Sequence, residues 1–132
     1  MVMRAVELGQ PAIALTDHGN LHGAIDFFQS AKKAGIKPII GVEGYVADGP
    51  RDERNPQKRS PFHLTVLSQN RVGYQNLLKL VSASHIEGFY QRPRMDREIL
   101  EKYSEGLIIL SGCPSSELGR YINNGDLDAA RE

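Results

Sequence analysis

The stretch PAIALTDHGNLHGAIDFFQSAKKAGIKPIIGVE, residues 11–43, leaves this chain few folds to choose from. Ala12–Leu15 is a short continuous apolar run, as expected of a strand covered on both faces. The polar residues 16–20, TDHGN, break it. Asn20 reads as the N-cap of a helix. The apolar stripe of that helix is Leu21, Ala24, Ile25, Phe28 and Ala31, in three- and four-residue steps. Lys32 and Lys33 fall in the last turn, where the helix dipole favours cations, and Gly35 stops it. Pro38 opens a second strand, Ile39–Val42, which Tyr45 and Val46 extend. Strand, helix and strand at this spacing predict a βαβ unit with parallel strands and a right-handed crossover.

The same alternation continues. Residues 48–61 contain no apolar residue and read as a surface loop. Its Lys and Arg residues are diluted by acids, which weakens any reading of it as a phosphate contact. Phe62–Leu67 is a third strand. Asn70 caps a helix that carries Tyr74, Leu77, Leu78 and Val81. HIEGFYQRPRMD, residues 85–96, is rich in aromatics and arginines and is broken by Gly88 and Pro93. Asp96 caps a short helix to Tyr103. Leu107–Leu110 is a fourth strand. Pro114 suits the first position of a helix to Ile122, and Asp126 the cap of one more. Before the first strand, Val2, Met3, Ala5, Val6 and Leu8 have helical spacing, and Gly9 with Pro11 stops that helix.

A length of 132 residues with 40% apolar content suits one domain, residues 1–132, with a packed core. Sixteen basic residues balance sixteen acidic ones, so no global attraction to nucleic acid is expected. The lone Cys113 excludes an internal disulfide and fits a reducing compartment. No apolar run reaches the ~20 residues of a membrane span, and residues 1–11 lack a secretory apolar segment. The expectation is a soluble, cytoplasmic protein without a membrane partner. A helix that starts at residue 1 uncapped, and four strands with open edges, predict a chain cut at both ends that is poorly stable alone or associates.

In βα repeats, functional side chains collect at the C-terminal ends of strands. Asp17, His18, Glu43 and Cys113 fall there. Imidazole, carboxylate and thiolate together suit Zn²⁺ or a similar divalent metal. Each also has a plainer reading. His18 fits a hydrogen bond in a polar turn, Asp17 a cap of backbone N–H groups, and Cys113 a small buried hydrophobe. Glu43 ends an apolar strand and needs a partner, which an arginine could be. His63 begins its strand, the wrong end for a parallel barrel, and reads as a structural histidine. His22 and His85 read as surface groups. Arg92 and Arg94 either meet phosphate or pair with Glu87 and Asp96; the ion pairs are the stronger reading.

Taken together, TDHGNLHGAIDFFQSAKKAGIKPIIGVEGYVA, HLTVLSQNRVGYQNLLKLVS, EGFYQRPRMDREIL and GLIILSGC, in this order, closely resemble the N-terminal PHP domain (polymerase and histidinol phosphatase) of bacterial DNA polymerase III alpha subunits. The resemblance covers essentially the whole chain. It implies an α/β fold, part of a distorted seven-stranded β/α barrel of which about four strands and their helices are present. It implies a cluster of up to three metal ions, Zn²⁺ or Mn²⁺, held by dispersed ligands that match His18, Glu43, His63 and Cys113. Asp17 then orients the turn behind them. No catalytic residue is assigned beyond the metal site. The family's first H-x-H and late D-x-H motifs have no counterpart here. In relatives the domain is similar to metal-dependent phosphoesterases; some show 3′–5′ proofreading, and others act as scaffolds for an exonuclease subunit. The implied parent is a DNA-directed DNA polymerase using Mg²⁺, with DNA and other replicase subunits as partners. The alternatives are a non-catalytic docking module or a free-standing phosphoesterase of the histidinol-phosphatase type.

Overall fold

The computed structural model describes residues 1–57 and 60–131. Lys58, Arg59 and Glu132, which belong to the surface loop and to the last expected helix, lie outside the described residues. The elements are α1 (Val2–Glu7), β1 (Ala12–His18), α2 (Ala24–Lys33), β2 (Lys37–Val46), β3 (Phe62–Ser68), α3 (Arg71–Ile86), β4 (Phe89–Tyr90), β5 (Arg92–Met95), α4 (Arg97–Lys102), β6 (Leu107–Leu110) and α5 (Glu117–Asn123).

Strand β2 is the trunk of one open six-stranded sheet. Residues 37–43 of β2 pair with β1 in parallel, and residues 45–46 pair in parallel with β5. Its other edge pairs with β3, and β3 with β6, both antiparallel. The βαβ reading of residues 11–46 therefore holds. The expectation of parallel strands throughout does not extend to β3. No helix connects β2 to β3; a polar loop does, and without a crossover helix the chain returns alongside the strand it has left. Residues 89–95, read as a break, form the small hairpin of β4 and β5.

Alternation along β2 divides its two faces. Val42 and its register partner Val66 are both fully buried. They pack with Ala24 and Phe27 of α2, Leu77 and Leu80 of α3, Met95 and Ile99 in the main core. Ala5, Ala31 and Ile36 form a smaller cluster under α1. Glu43 and Tyr45, one step out of phase, belong to the opposite face.

Several local expectations shift. Asn20 does not cap α2. Its amide donates to the His18 carbonyl at 2.9 Å and accepts from His22 N–H at 2.9 Å, closing a turn, and the helix starts after Gly23. The buried stripe is Ala24, Phe27 and Ala31, with Ile25 and Phe28 exposed. That stripe keeps Ala24 and Ala31 of the expected one and takes Phe27 in place of Phe28, a step of one residue, about 100° around the helix. In α3, Leu80 is buried where Leu78 was expected. Asn70 and Asp96 cap as expected, accepting from Gly73 and Ile99 N–H. The cap of α5 is Ser116, two residues beyond Pro114. Residues 127–131 form turns and no helix. One close approach requires glycine: a Cβ at Gly73 of α3 would lie 1.8 Å from the Gly106 carbonyl oxygen.

Candidate metal centre

Register brings the chemistry together. In the parallel pair β1–β2, His18 stands opposite Glu43. In the antiparallel pair β2–β3, His63 stands opposite Tyr45 and therefore diagonal to Glu43 on the same face. Because β3 runs backwards, its first residues lie at the C-terminal end of β2. The objection to His63 from a parallel barrel thus disappears. The loop after β6 crosses the start of β3, where the Ser115 carbonyl accepts from His63 N–H at 3.1 Å. That crossing delivers Cys113.

His63 Nδ1 and Glu43 Oε1 share a hydrogen bond of 2.7 Å. His18 Nε2 lies 3.3 Å from Glu43 Oε2. Cys113 Sγ lies 4.0 Å from His63 Nδ1 and accepts from Ser115 N–H at 3.3 Å. One donor atom each from Glu43, His63 and Cys113 falls within 4.8 Å of the others. A tetrahedral zinc with ordinary bond lengths separates its ligand atoms by about 3.3–3.8 Å. The observed separations lie on both sides of that range and the widest exceeds it by up to about 1 Å, so the set closes around a divalent ion with side-chain movements of that order. Glu43 is 24% exposed and His18 63%, and Cys113 is exposed rather than a buried hydrophobe, so the cluster is open to solvent at both His18 and Cys113.

Two cavities meet at His63. One, of about 620 Å³, is lined by Glu43, Thr65 and the loop to Cys113. The other, of about 890 Å³, is lined by His18, Tyr45 and Tyr90, by Arg92, Arg94 and Arg120, and by the loop after β2.

Asp17 faces away from the cluster. Its Oδ2 accepts from Gly23 N–H at 2.9 Å, fixing the turn before α2. Gly19 sits at φ 67°, and a Cβ there would lie 2.8 Å from Pro93 Cγ and 3.1 Å from the Tyr45 ring. Its N–H donates to the Glu43 carbonyl at 2.9 Å. Its carbonyl accepts from His85 Nε2 at 2.8 Å. His85, read as a loop surface group, is an α3 residue that clamps the turn bearing His18. His22 is exposed, as read.

The arginines are arranged differently from either expectation. Neither Arg92 nor Arg94 pairs with Glu87 or Asp96; Arg51 does. Arg51 Nε donates to Glu87 at 2.7 Å, and Nη1 to Asp96 at 3.0 Å and Glu98 at 3.3 Å. Its backbone N–H also donates to Asp96. Burial pushes the Asp96 carboxyl up, but the N–H donors of Arg51 and Ile99 and the Arg51 guanidinium outweigh it. The carboxyl is held below its ordinary value. The Arg51 guanidinium is correspondingly held protonated by Glu87 and Asp96, against its own desolvation. The loop read as free surface is therefore anchored.

Sequence reasoning missed Arg51 and gave Tyr45 only a strand position. Tyr45 packs its ring edge-on against His63, with centroids 5.3 Å apart. The signal was available: a residue two places after Glu43 in a strand shares its face. For Arg51 no local signal exists, since its partners lie 36 to 47 residues away.

A family model described as PHP domain matches residues 1–132. The DNA polymerase III subunit alpha of Thermus aquaticus is 50% identical over 123 residues, covering 91% of this chain and 10% of the relative. The protein of that name from Borreliella burgdorferi is 50% identical over 124 residues, 92% of this chain and 11% of the relative. That from Chlamydia pneumoniae is 51% identical over 119 residues, 89% and 10%. This chain spans about a tenth of the length of these curated relatives. Among the described residues, no helix is long and apolar enough to cross a membrane.

Proposed function

Because this chain belongs to the PHP domain family, we propose that it forms part of a DNA polymerase III alpha subunit and contributes a divalent-metal site that hydrolyses phosphodiesters of single-stranded DNA ends. The observation that carries this reading is the meeting of Glu43, His63 and Cys113, with His18 beside them, at one end of the sheet. Their lone pairs outnumber their protons, and a cation satisfies such a set better than any hydrogen-bond pattern among its members. The thiol favours Zn²⁺, with Mn²⁺ next. Such an ion, when bound, supplies an activated water and neutralises phosphoryl oxygens.

The chain's own residues do the rest. Glu43, His63 and Cys113 hold the ion, and His18 completes the set from the β1 side. Gly19 and His85 fix the turn that aims His18, and Asp17 fixes the far end of that turn. The larger cavity, with its arginines, gives an anionic substrate room to approach. In the full-length protein this reading adds DNA and the other replicase subunits as partners, a cytoplasmic setting, and Mg²⁺ at a separate polymerase centre.

One observation favours a second reading. Glu43 is already met by two imidazoles, so the cluster can persist as a polar knot without an ion. The domain would then be a scaffold that docks neighbouring subunits, an exonuclease subunit among them. Naming of the relatives as polymerase subunits weighs against a free-standing phosphoesterase.

Metal content after loading with Zn²⁺ or Mn²⁺, and cleavage of an end-labelled single-stranded oligonucleotide, test the proposal in this chain and in a full-length protein containing it. Bound metal and metal-dependent cleavage are expected, both lost in His18→Ala and Glu43→Ala. If neither substitution changes either quantity, the hydrolytic reading is wrong. Metal without cleavage favours the scaffold.

A further inference from the structure

Three arginines line the larger cavity, and their donors are committed differently. Arg94 gives Nε to the Gly88 carbonyl at 3.0 Å, and Nη2 to the carbonyls of Arg51 and Glu53 at 2.7 and 2.8 Å. Arg120 gives its terminal nitrogens to the Ser60 and Pro61 carbonyls at 2.6 and 2.7 Å and lies over Phe62. Both guanidinium groups hold the ends of the loop between β2 and β3. Arg92 is exposed. Its one hydrogen bond among the described residues is from Nη1 to the Tyr45 hydroxyl, at 3.3 Å. Most of its five N–H donors remain available at the cavity wall.

Two further observations show that this guanidinium is mounted. Its carbon lies 5.3 Å from the centroid of the Tyr45 ring, and Tyr45 is 6% exposed and set edge-on against His63. The side chain therefore rests on a fixed platform that touches the candidate metal centre. The preceding residue, Gln91, has φ 61°, the only positive φ at a non-glycine position among the described residues. Pairing of Phe89 with Pro93 and of Tyr90 with Arg92 imposes that conformation at the hairpin tip. Backbone held in a sparsely populated region next to a guanidinium with unused donors at a cavity rim is a reason to look for a ligand.

We propose that Arg92, seated on Tyr45 beside His63, grips a phosphodiester of single-stranded DNA next to the one presented to the metal cluster. Arg94 and Arg120 are excluded from this role because carbonyls take their donors. The inference rests on the hydrolytic reading for its substrate, but binding can be measured without hydrolysis.

The test is fluorescence anisotropy of a labelled oligothymidylate with the whole chain, in EDTA so that nothing is cleaved. Circular dichroism and melting temperature verify folding of each variant. Arg92→Ala should weaken binding about ten- to hundredfold, the value of a charge-assisted hydrogen bond or two. It should also reduce the slope of log K against log salt by about 0.7, one phosphate contact on a single strand. Arg92→Lys should restore the slope but only part of the affinity, since an ammonium cannot grip in a fork. Binding by a folded Arg92→Ala within twofold of the native chain, at an unchanged slope, would overturn the proposal, as would no binding by the native chain at 50 mM salt. With metal present, Arg92→Ala should raise KM more than it lowers kcat. Weakened binding by Arg92→Ala, in a native chain that binds but never cleaves, sinks the hydrolytic reading alone. Cleavage with unchanged KM in Arg92→Ala sinks the role of Arg92 alone.

Discussion

Two dense polar clusters flank the end of β2, and they are built to opposite rules. Around Arg51 and Arg94, donors face acceptors: guanidinium N–H groups reach the carboxylates of Glu87, Asp96 and Glu98 and the carbonyls of Gly88, Arg51 and Glu53. Around Glu43, acceptors predominate: a carboxylate, two imidazoles and a thiol share few protons. A closed ledger of donors and acceptors marks a structural anchor. A surplus of lone pairs marks a place for a cation. Burial does not separate the two, because Glu43 is 24% exposed and Arg51 18%.

The sharpest way to break this comparison is to remove an acceptor from the electron-rich cluster. His63→Ala takes away the group that touches both Glu43 and Cys113. Zn²⁺ affinity, measured by competition with a chromophoric chelator, should fall by more than about 100-fold, beyond the loss typical of a supporting residue. Chemical stability without metal should change little. A variant that binds Zn²⁺ as tightly as the native chain would show that the cluster is not the metal site.

The reverse pattern is expected on the other side. Arg51→Ala strands Asp96, which is 5% exposed, with its charge only partly compensated. Breaking a buried pair from one side costs about 3 kcal/mol, and the partial exposure of Arg51 puts the expectation near ~2 kcal/mol. Urea unfolding should report that loss, while Zn²⁺ affinity stays within a few-fold. Equal effects on both quantities would mean that the two clusters are one coupled unit.

The contrast also explains what the sequence revealed. The βαβ unit, the caps at Asn70 and Asp96, and the meeting of His18 with Glu43 all follow from local signals of period, cap chemistry and strand ends. The direction of β3 does not. A polar loop without apolar residues carries no mark of whether the next strand runs up or down, and the position of His63 turns on that direction alone. Arg51 escaped because a long-range ion pair leaves no trace in its own neighbourhood. On α2, Ala24 and Ala31 were legible as buried, but two adjacent phenylalanines left the choice between Phe27 and Phe28 open to the period alone, and the structure buries Phe27 while Ile25 and Phe28 stay exposed.

A smaller effect probes the link between turn and cluster. Asp17→Ala removes the acceptor of Gly23 N–H. Loss of a capping interaction costs about 1 kcal/mol, and misorientation of the turn behind His18 should weaken Zn²⁺ about tenfold. Asp17→Asn retains an acceptor oxygen and should recover most of both. Failure of Asn to recover the affinity would mean that the charge of Asp17, rather than its hydrogen bond, serves the site.

The smallest expected effect lies in the acid limb of stability. In the folded chain Asp96 is held below its ordinary carboxyl value, so the unfolded state binds its proton first as pH falls. The contribution of Asp96 is therefore fully present above the unfolded value, about 3.9. It is lost as pH drops through the lower, folded one. In Arg51→Ala, burial still pushes the carboxyl up and the backbone N–H groups of residues 51 and 99 still hold it down, while the guanidinium is gone. The downward shift should shrink, and the acid limb should flatten. Melting temperatures of the native chain and Arg51→Ala between pH 3 and 6 should converge by a few degrees as pH falls, the scale set by ~1 kcal/mol in a domain of this size. Groups that Arg51 does not touch are common to both proteins and cancel in the difference, whereas Glu87 and Glu98 lose the same cation. A gap that stays constant down to pH 3 would mean that Arg51 stabilises the fold through packing of its stem and not through the charge of Asp96.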